Sequence, residues 1–126
     1  MCLIDILYIR FKGESNMRVA IIGSRGIQAK DLTPYLPADT TAIVSGGARG
    51  VDACARAYAL AHGLPLTEFL PDYRRYGKAA PLKRNQQIID HADYVVALWD
   101  GHSHGTEHAI GLCQRRGVPL RVFLCT

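Results

Sequence analysis

The sequence predicts an α/β domain, a central parallel sheet of about five strands with helices on both faces in a three-layer arrangement. Strand-like and helix-like segments alternate along most of the chain, the pattern of βαβ units joined by right-handed crossovers. The strand-like segments are nearly continuous apolar runs, as expected of strands buried on both sides. Three of them end in loops that carry glycine. At 126 residues, with 48% hydrophobic and 21% charged residues, the chain has the length and make-up of one globular domain.

The first strand is read at residues 18–22 (RVAII), a β-branched run stopped by Gly23. A weak helix is expected around residues 28–36, interrupted by Pro34 and Pro37. The second strand is residues 41–44 (TAIV), and residues 46–50 form the loop after it. An Ala-rich helix follows at residues 51–61, closed by His62 and Gly63 as a glycine C-cap. Residues 65–70 form the third strand. A loop with Pro71, Gly77 and Pro81 then leads to a helix at about residues 82–91. The fourth strand, residues 94–99 (YVVALW), is the most apolar. After a loop at 100–105, a helix at 106–116 ends at Gly117, with Arg115 and Arg116 placed favourably for the helix dipole. Residues 118–124 form the last strand. Residues 17–126 thus make one domain. Residues 1–16 stand outside the alternation, as a leader, an added edge strand or a mis-assigned start.

No run is long enough to span a bilayer, and residues 1–11 lack the basic start and small-residue cleavage site of a signal peptide. The four cysteines (Cys2, Cys54, Cys113, Cys125) are scattered. That spacing favours a reduced, cytoplasmic setting, with Cys54 and Cys113 packing as small apolar residues. The formal charge of +4 favours anionic partners without specifying one.

In a parallel sheet the loops after the strands emerge at one carboxyl edge, where ligands of open α/β sheets bind. Three such loops carry glycine: Gly23-Ser24-Arg25-Gly26, Ser45-Gly46-Gly47-Ala48-Arg49-Gly50, and Asp100 to Gly105-Thr106. The second and third lead directly into helices, so unpaired N–H groups and the positive dipole end face that edge. Arg25, Arg49 and Arg84 are candidates for phosphate contacts. Gly46-Gly47-Ala48-Arg49-Gly50 is not G-x-G-x-x-G, and no G-x-x-x-x-G-K-[ST] occurs. A classical dinucleotide site and a Walker loop are therefore both disfavoured.

Ser45-Gly46-Gly47-Ala48-Arg49-Gly50-Val51-Asp52, with Gly23-Ser24-Arg25 before it and Lys83-Arg84-Asn85 and Gly105-Thr106 after it, resembles the SLOG superfamily. The resemblance runs from Met17 to about Phe123 and is strongest to the YspA-like and DNA-processing protein A (Smf) branches. It implies a Rossmann-like fold and a site for a nucleotide or nucleotide-derived ligand, formed by the residues of those motifs. Asp52 is read as bracing its loop at the helix start, and Arg49 as a ligand contact. In the DNA-processing branch the domain binds single-stranded DNA with the help of further domains. The more distant Lonely Guy enzymes release a base from nucleoside monophosphates with an Arg and a Glu. Arg84 matches that Arg, while Ala109 stands where the Glu falls, leaving Glu107 as the nearby carboxylate.

Three functions follow. The first is binding or sensing of a small nucleotide-type ligand, with no further cofactor. The alternatives are an N-glycosidic hydrolase using Arg84 and Glu107, and single-stranded nucleic-acid binding through Arg25, Arg74, Arg75 and Arg84. His102, His104 and His108, with Asp100, Glu107 and Cys113 nearby, are read as loop histidines beside the ligand edge in preference to a zinc site. Trp99 is either a core anchor or a stacking platform. Tyr73, Arg74, Arg75, Tyr76 and Lys78 form a basic aromatic loop. No membrane partner is expected, and so small a sheet is expected to form a homo-oligomer.

Overall fold

The computed structural model describes residues 16–29 and 31–125. Five parallel strands form one sheet: β1 (Arg18–Gly23), β2 (Ala42–Ser45), β3 (Leu66–Glu68), β4 (Tyr94–Trp99) and β5 (Leu120–Leu124). Their spatial order is β3-β2-β1-β4-β5. The central strand β1 and its neighbour β4 carry the most apolar stretches, and Val19–Ile22 of β1 and Val95–Leu98 of β4 are buried throughout. They pair in register from Val19 opposite Tyr94 to Gly23 opposite Leu98. At their amino ends Arg18 donates from Nε and Nη2 to the Asp93 carboxylate, at 3.1 and 3.2 Å.

Strand alternation divides the sheet side chains between two cores. Ala20, Ile22, Val44, Val95 and Ala97 pack with Ile88 and Ile89 of α3 (Ala80–Asp90) and Leu112 and Cys113 of α4 (His104–Arg116). Val19, Ile21, Ile43, Val96 and Leu98 face α1 (Val51–Ala61), through Val51, Ala55 and Ala59. The expected three-layer parallel α/β architecture is thus present. Burial raises the Cys113 thiol to about 11, so this cysteine packs as an inert apolar residue.

The expected helix at 28–36 is absent among the described residues and is replaced by one 3-10 turn, Thr33–Tyr35. Pro34 lacks an N–H and Asp31 Oδ1 accepts the Thr33 N–H at 3.0 Å, so the segment turns tightly instead of propagating. It still covers the sheet: Leu32 is buried, and Tyr35 meets Phe123 edge-on with ring centroids 4.8 Å apart.

The basic aromatic segment is also more ordered than a loop. Residues Tyr73–Tyr76 form a short helix, α2, whose N-cap Asp72 accepts the Arg75 N–H at 3.1 Å. A 3-10 turn, Gly77–Ala79, joins it to α3, so Pro81 lies in the first helical turn, where a missing N–H costs nothing. Helix α4 starts two residues earlier than the expected 106. Gly105 and Thr106 are therefore part of its first turn. The expectation for residues 1–16 concerns a segment that, apart from Asn16, lies outside the described residues.

Gly50 makes α1 possible where it begins. Its φ is +72°, and a Cβ there would run into the Arg25 backbone carbonyl. Gly50→Ala is expected to lower unfolding free energy by about 3 kcal/mol or more. Gly63→Ala, also at positive φ but facing open space, is expected to cost about 1 kcal/mol. Urea denaturation of the two variants beside the parent checks the contrast.

Candidate functional site

The chain runs outward from β1 through β2 to β3, then crosses back to place β4 on the other side of β1. The loops leaving β1 and β4 consequently diverge, opening a cleft at the carboxyl edge of the sheet, where such folds bind ligands. A cavity of about 350 Å³ occupies this position.

Its walls come from four places in the sequence. Gly23 ends β1 and Ser24, Arg25 and Gly26 follow it; Ala48 and Arg49 come from the β2–α1 connection and Asp52 from the first turn of α1. Helix α3 contributes Pro81, Leu82, Arg84, Asn85 and Ile88, while α4 contributes Gly105, Thr106 and Ala109, with Ser103 at its N-cap. The first intrahelical bonds of α1 and α4 are Cys54 N–H to Gly50 O and Glu107 N–H to Ser103 O, both 3.1 Å. The preceding N–H groups of each first turn are left without helical partners, a setting favourable to an anion. Added Cβ atoms at Gly26 and Gly105 would meet nothing within 4 Å, so these lining glycines leave room that the protein does not fill.

Arg84 and Asn85 tie the walls together. Arg84 Nη1 donates to the Gly46 carbonyl at 3.0 Å, and its Nε donates to Asn85 Oδ1 at 3.3 Å. Asn85 Nδ2 then reaches the Gly105 carbonyl at 3.3 Å and His108 Nδ1 at 3.1 Å. A Cβ at Gly46 would sit 2.8 Å from Asp52 Oδ2 and against Arg84 Nη1, so only glycine admits this guanidinium.

Asp52 closes the loop from beneath, accepting the Ala48 N–H at 3.1 Å. Burial raises its pKa; the Ala48 N–H, the Arg84 charge and weaker help from Ser45 and Gly46 oppose that shift. Ser45 Oγ is fully buried and has no partner in good hydrogen-bonding geometry among the described residues. Arg84 is displaced downward, first by burial, against the attraction of Asp52, and further by the like charge of Arg25. Two guanidinium groups thus repel one another beside the cavity, and an anion between them would relieve that repulsion.

The β4–α4 loop is held by Asp100. Its Oδ1 accepts the His102 and Ser103 N–H groups, both at 2.8 Å, and its Oδ2 accepts Ser103 Oγ at 2.8 Å. The Asp100 N–H donates to Ser24 Oγ at 3.2 Å, joining this loop to the one after β1. These donors hold the Asp100 carboxyl at about 2, below its ordinary 3.8. Trp99 Nε1 donates to the Ser103 carbonyl at 3.1 Å, so Trp99 anchors the loop and does not line the cavity.

Several sequence candidates lie apart from the cavity. Gly46, Gly47 and Gly50 shape the loop without lining the cavity, and Ser45 is buried behind it. Glu107 is 63% exposed at its side chain, 3.6 Å from His104 Nδ1, and does not line the cavity, whereas Ala109 does. His102 and His104 are exposed, and His108 is engaged with Asn85. Among the described residues no three His, Cys, Asp or Glu side chains converge to hold a metal ion. Arg74 and Arg75 sit exposed on α2, with Arg75 5.4 Å from the Tyr76 ring centroid. The bracing by Asp100 and Ser103 is the feature sequence reading missed, although Asp-x-x-Ser between a strand and a helix is a recognisable side-chain-capped turn.

The strand order and the position of this cleft define a Rossmann-like α/β protein. More specifically, the chain belongs to the YspA, cpYpsA-related SLOG family, whose model matches residues 17–76. It is also similar to the Gene 61 protein of Mycobacterium phage D29, 34% identical over 87 residues, which cover 64% of this chain and 70% of that protein. No solved structure matches. Family membership points to nucleotide-related binding or processing in general. Among the described residues no helix is long and apolar enough to cross a membrane.

Because the folded Asp100 pKa is depressed, its stabilising contribution is complete above the unfolded value near 3.8 and disappears as pH falls toward 2. Asp100→Asn should melt below the parent at pH 6, and the gap should close between pH 4 and pH 2. Thermal melts followed by circular dichroism across that range check this.

Proposed function

We propose that this chain binds a nucleotide or nucleotide-derived ligand in the cleft between the β1 and β4 loops, without turning it over. The observation that carries the reading is the convergence of two helix starts with Arg25, Arg49 and Arg84 around one cavity that two glycines leave open. The unpaired N–H groups and the arginines suit phosphate. Ile22, Leu82, Ile88 and Ala109 offer apolar surface suited to a base or ribose.

Hydrolysis of an N-glycosidic bond is the weaker reading. It needs a carboxylate or equivalent acid–base group at the reacting centre. Glu107 lies outside the cavity, and the one carboxylate among the lining residues, Asp52, is engaged by the Ala48 N–H and the Arg84 charge. Incubation with nucleoside monophosphates should therefore release neither base nor ribose phosphate, as followed by chromatography.

A nucleotide present at one hundred times its Kd should raise the melting temperature by on the order of 10 °C. Arg84→Ala should abolish that rise. Gly105→Leu should retain the parental melting temperature without ligand and lose most of the ligand response, because its side chain enters space the protein leaves empty. Differential scanning fluorimetry against nucleotides, ADP-ribose and cyclic nucleotides provides the measurement; no shift with any of them would overturn the reading.

A further inference from the structure

A second hollow lies on the outer side of the β2–α1 loop. It is a shallow depression open to solvent and shares Arg25, Ala48 and Arg49 with the inner cavity. Those three residues form a ridge with open space on both sides. Beyond the ridge lies Arg56, held in place by Glu68 at 2.9 Å and by the Gly47 carbonyl at 3.4 Å. Resting on the nucleotide reading above, we infer that the ligand carries a chain of two or more phosphates, with its nucleoside in the inner cavity and its phosphates crossing the Arg25–Arg49 ridge toward Arg56.

The direction follows from how charge is distributed. Inside, the Arg84 charge is partly offset by Asp52 and its Nη1 is engaged by the Gly46 carbonyl, while Ile22, Leu82, Ile88 and Ala109 give the wall apolar surface. On the ridge, Arg25 and Arg49 are exposed and have no acidic partner among the described residues, so their positive charge is open to an anion from either side. Outside, Arg56 is anchored through Nε and Nη2, and its Nη1 has no partner among the described residues. The backbone between these side chains is also accessible. Gly47 and Ala48 bring little bulk to the path, and the N–H groups of Gly47 and Arg49 make no hydrogen bond among the described residues. A single phosphate would occupy the ridge and leave Arg56 unused. A di- or triphosphate reaches from the ridge to Arg56 and gains a charge-assisted contact there.

Isothermal titration with the mono-, di- and triphosphates of adenosine, guanosine, cytidine and uridine tests this, with tripolyphosphate and a single-stranded oligonucleotide as further arms. For at least one base, affinity should rise about tenfold from mono- to triphosphate, as one charge-assisted contact supplies. Arg56→Ala should erase that gain while leaving monophosphate affinity unchanged, and Arg56→Lys should restore part of it. Circular dichroism establishes that each variant is folded. Equal affinity for mono- and triphosphates, or a gain that survives Arg56→Ala, overturns the inference and leaves the nucleotide reading standing. Tripolyphosphate binding as tightly as the best triphosphate overturns it by showing that the inner cavity adds nothing. An oligonucleotide binding more tightly than any triphosphate replaces it with a polynucleotide partner. No binding by any nucleotide overturns both readings.

Discussion

The pairing of β1 with β4 is the constraint on which the molecule depends. These strands are adjacent in space but separated in sequence by two strands and three helices. Their shared register, from Val19 with Tyr94 to Gly23 with Leu98, joins the two halves of the fold. Both are buried on both faces, so shifting the register would move side chains between the two cores. The Arg18–Asp93 pair marks the same register at the amino ends. At the carboxyl ends the connections must part in opposite directions, and the cleft is the space this leaves. The cleft is thus a consequence of strand order and not of any one loop.

Two groups of opposite charge, Asp52 and Arg84, lie partly or fully buried in the wall of the cleft. Burial disfavours the charged forms of both Asp52 and Arg84, and their mutual attraction only partly offsets it. Hydrogen bonds from Ala48 to Asp52 and from Arg84 to Gly46 keep the pair in place. Arg25 adds a further like charge. Arrangements of this kind are common at binding sites, where local cost is compensated by the rest of the fold and relieved by a ligand of opposite charge.

The Asp100 turn shows how rigidity reaches a loop-built site. A single carboxylate accepts three hydrogen bonds from its own loop, and the Asp100 N–H crosses to Ser24. Trp99 adds a bond to the Ser103 carbonyl, so the entry to α4 is fixed from two sides. A rigid entry matters because the free N–H groups of a helix start bind anions well only when their direction is set in advance.

Local sequence determined every strand, the long helices and the glycine-bearing turns. Period, β-branching and capping residues act over a few positions and need no distant partner. They failed at residues 28–36, where Asp31 and Pro34 favour a tight turn that leaves Leu32 and Tyr35 to cover the sheet. They also failed at residues 73–79, where a side-chain cap by Asp72 outweighed the loop-like composition. Arg84, Asn85 and several of the loop glycines could be marked in advance as residues of the cavity at the carboxyl edge, because residue type and the carboxyl-edge rule are local properties. Only the tertiary structure decided that Arg84 spans 38 positions to Gly46, that Asp52 lies buried beside it, that Glu107 faces solvent while Ala109 faces the cavity, and that Arg25 and Arg49 form a ridge between two hollows. Burial and charge–charge distance are set by the order in which strands assemble, and no short stretch of sequence encodes that order.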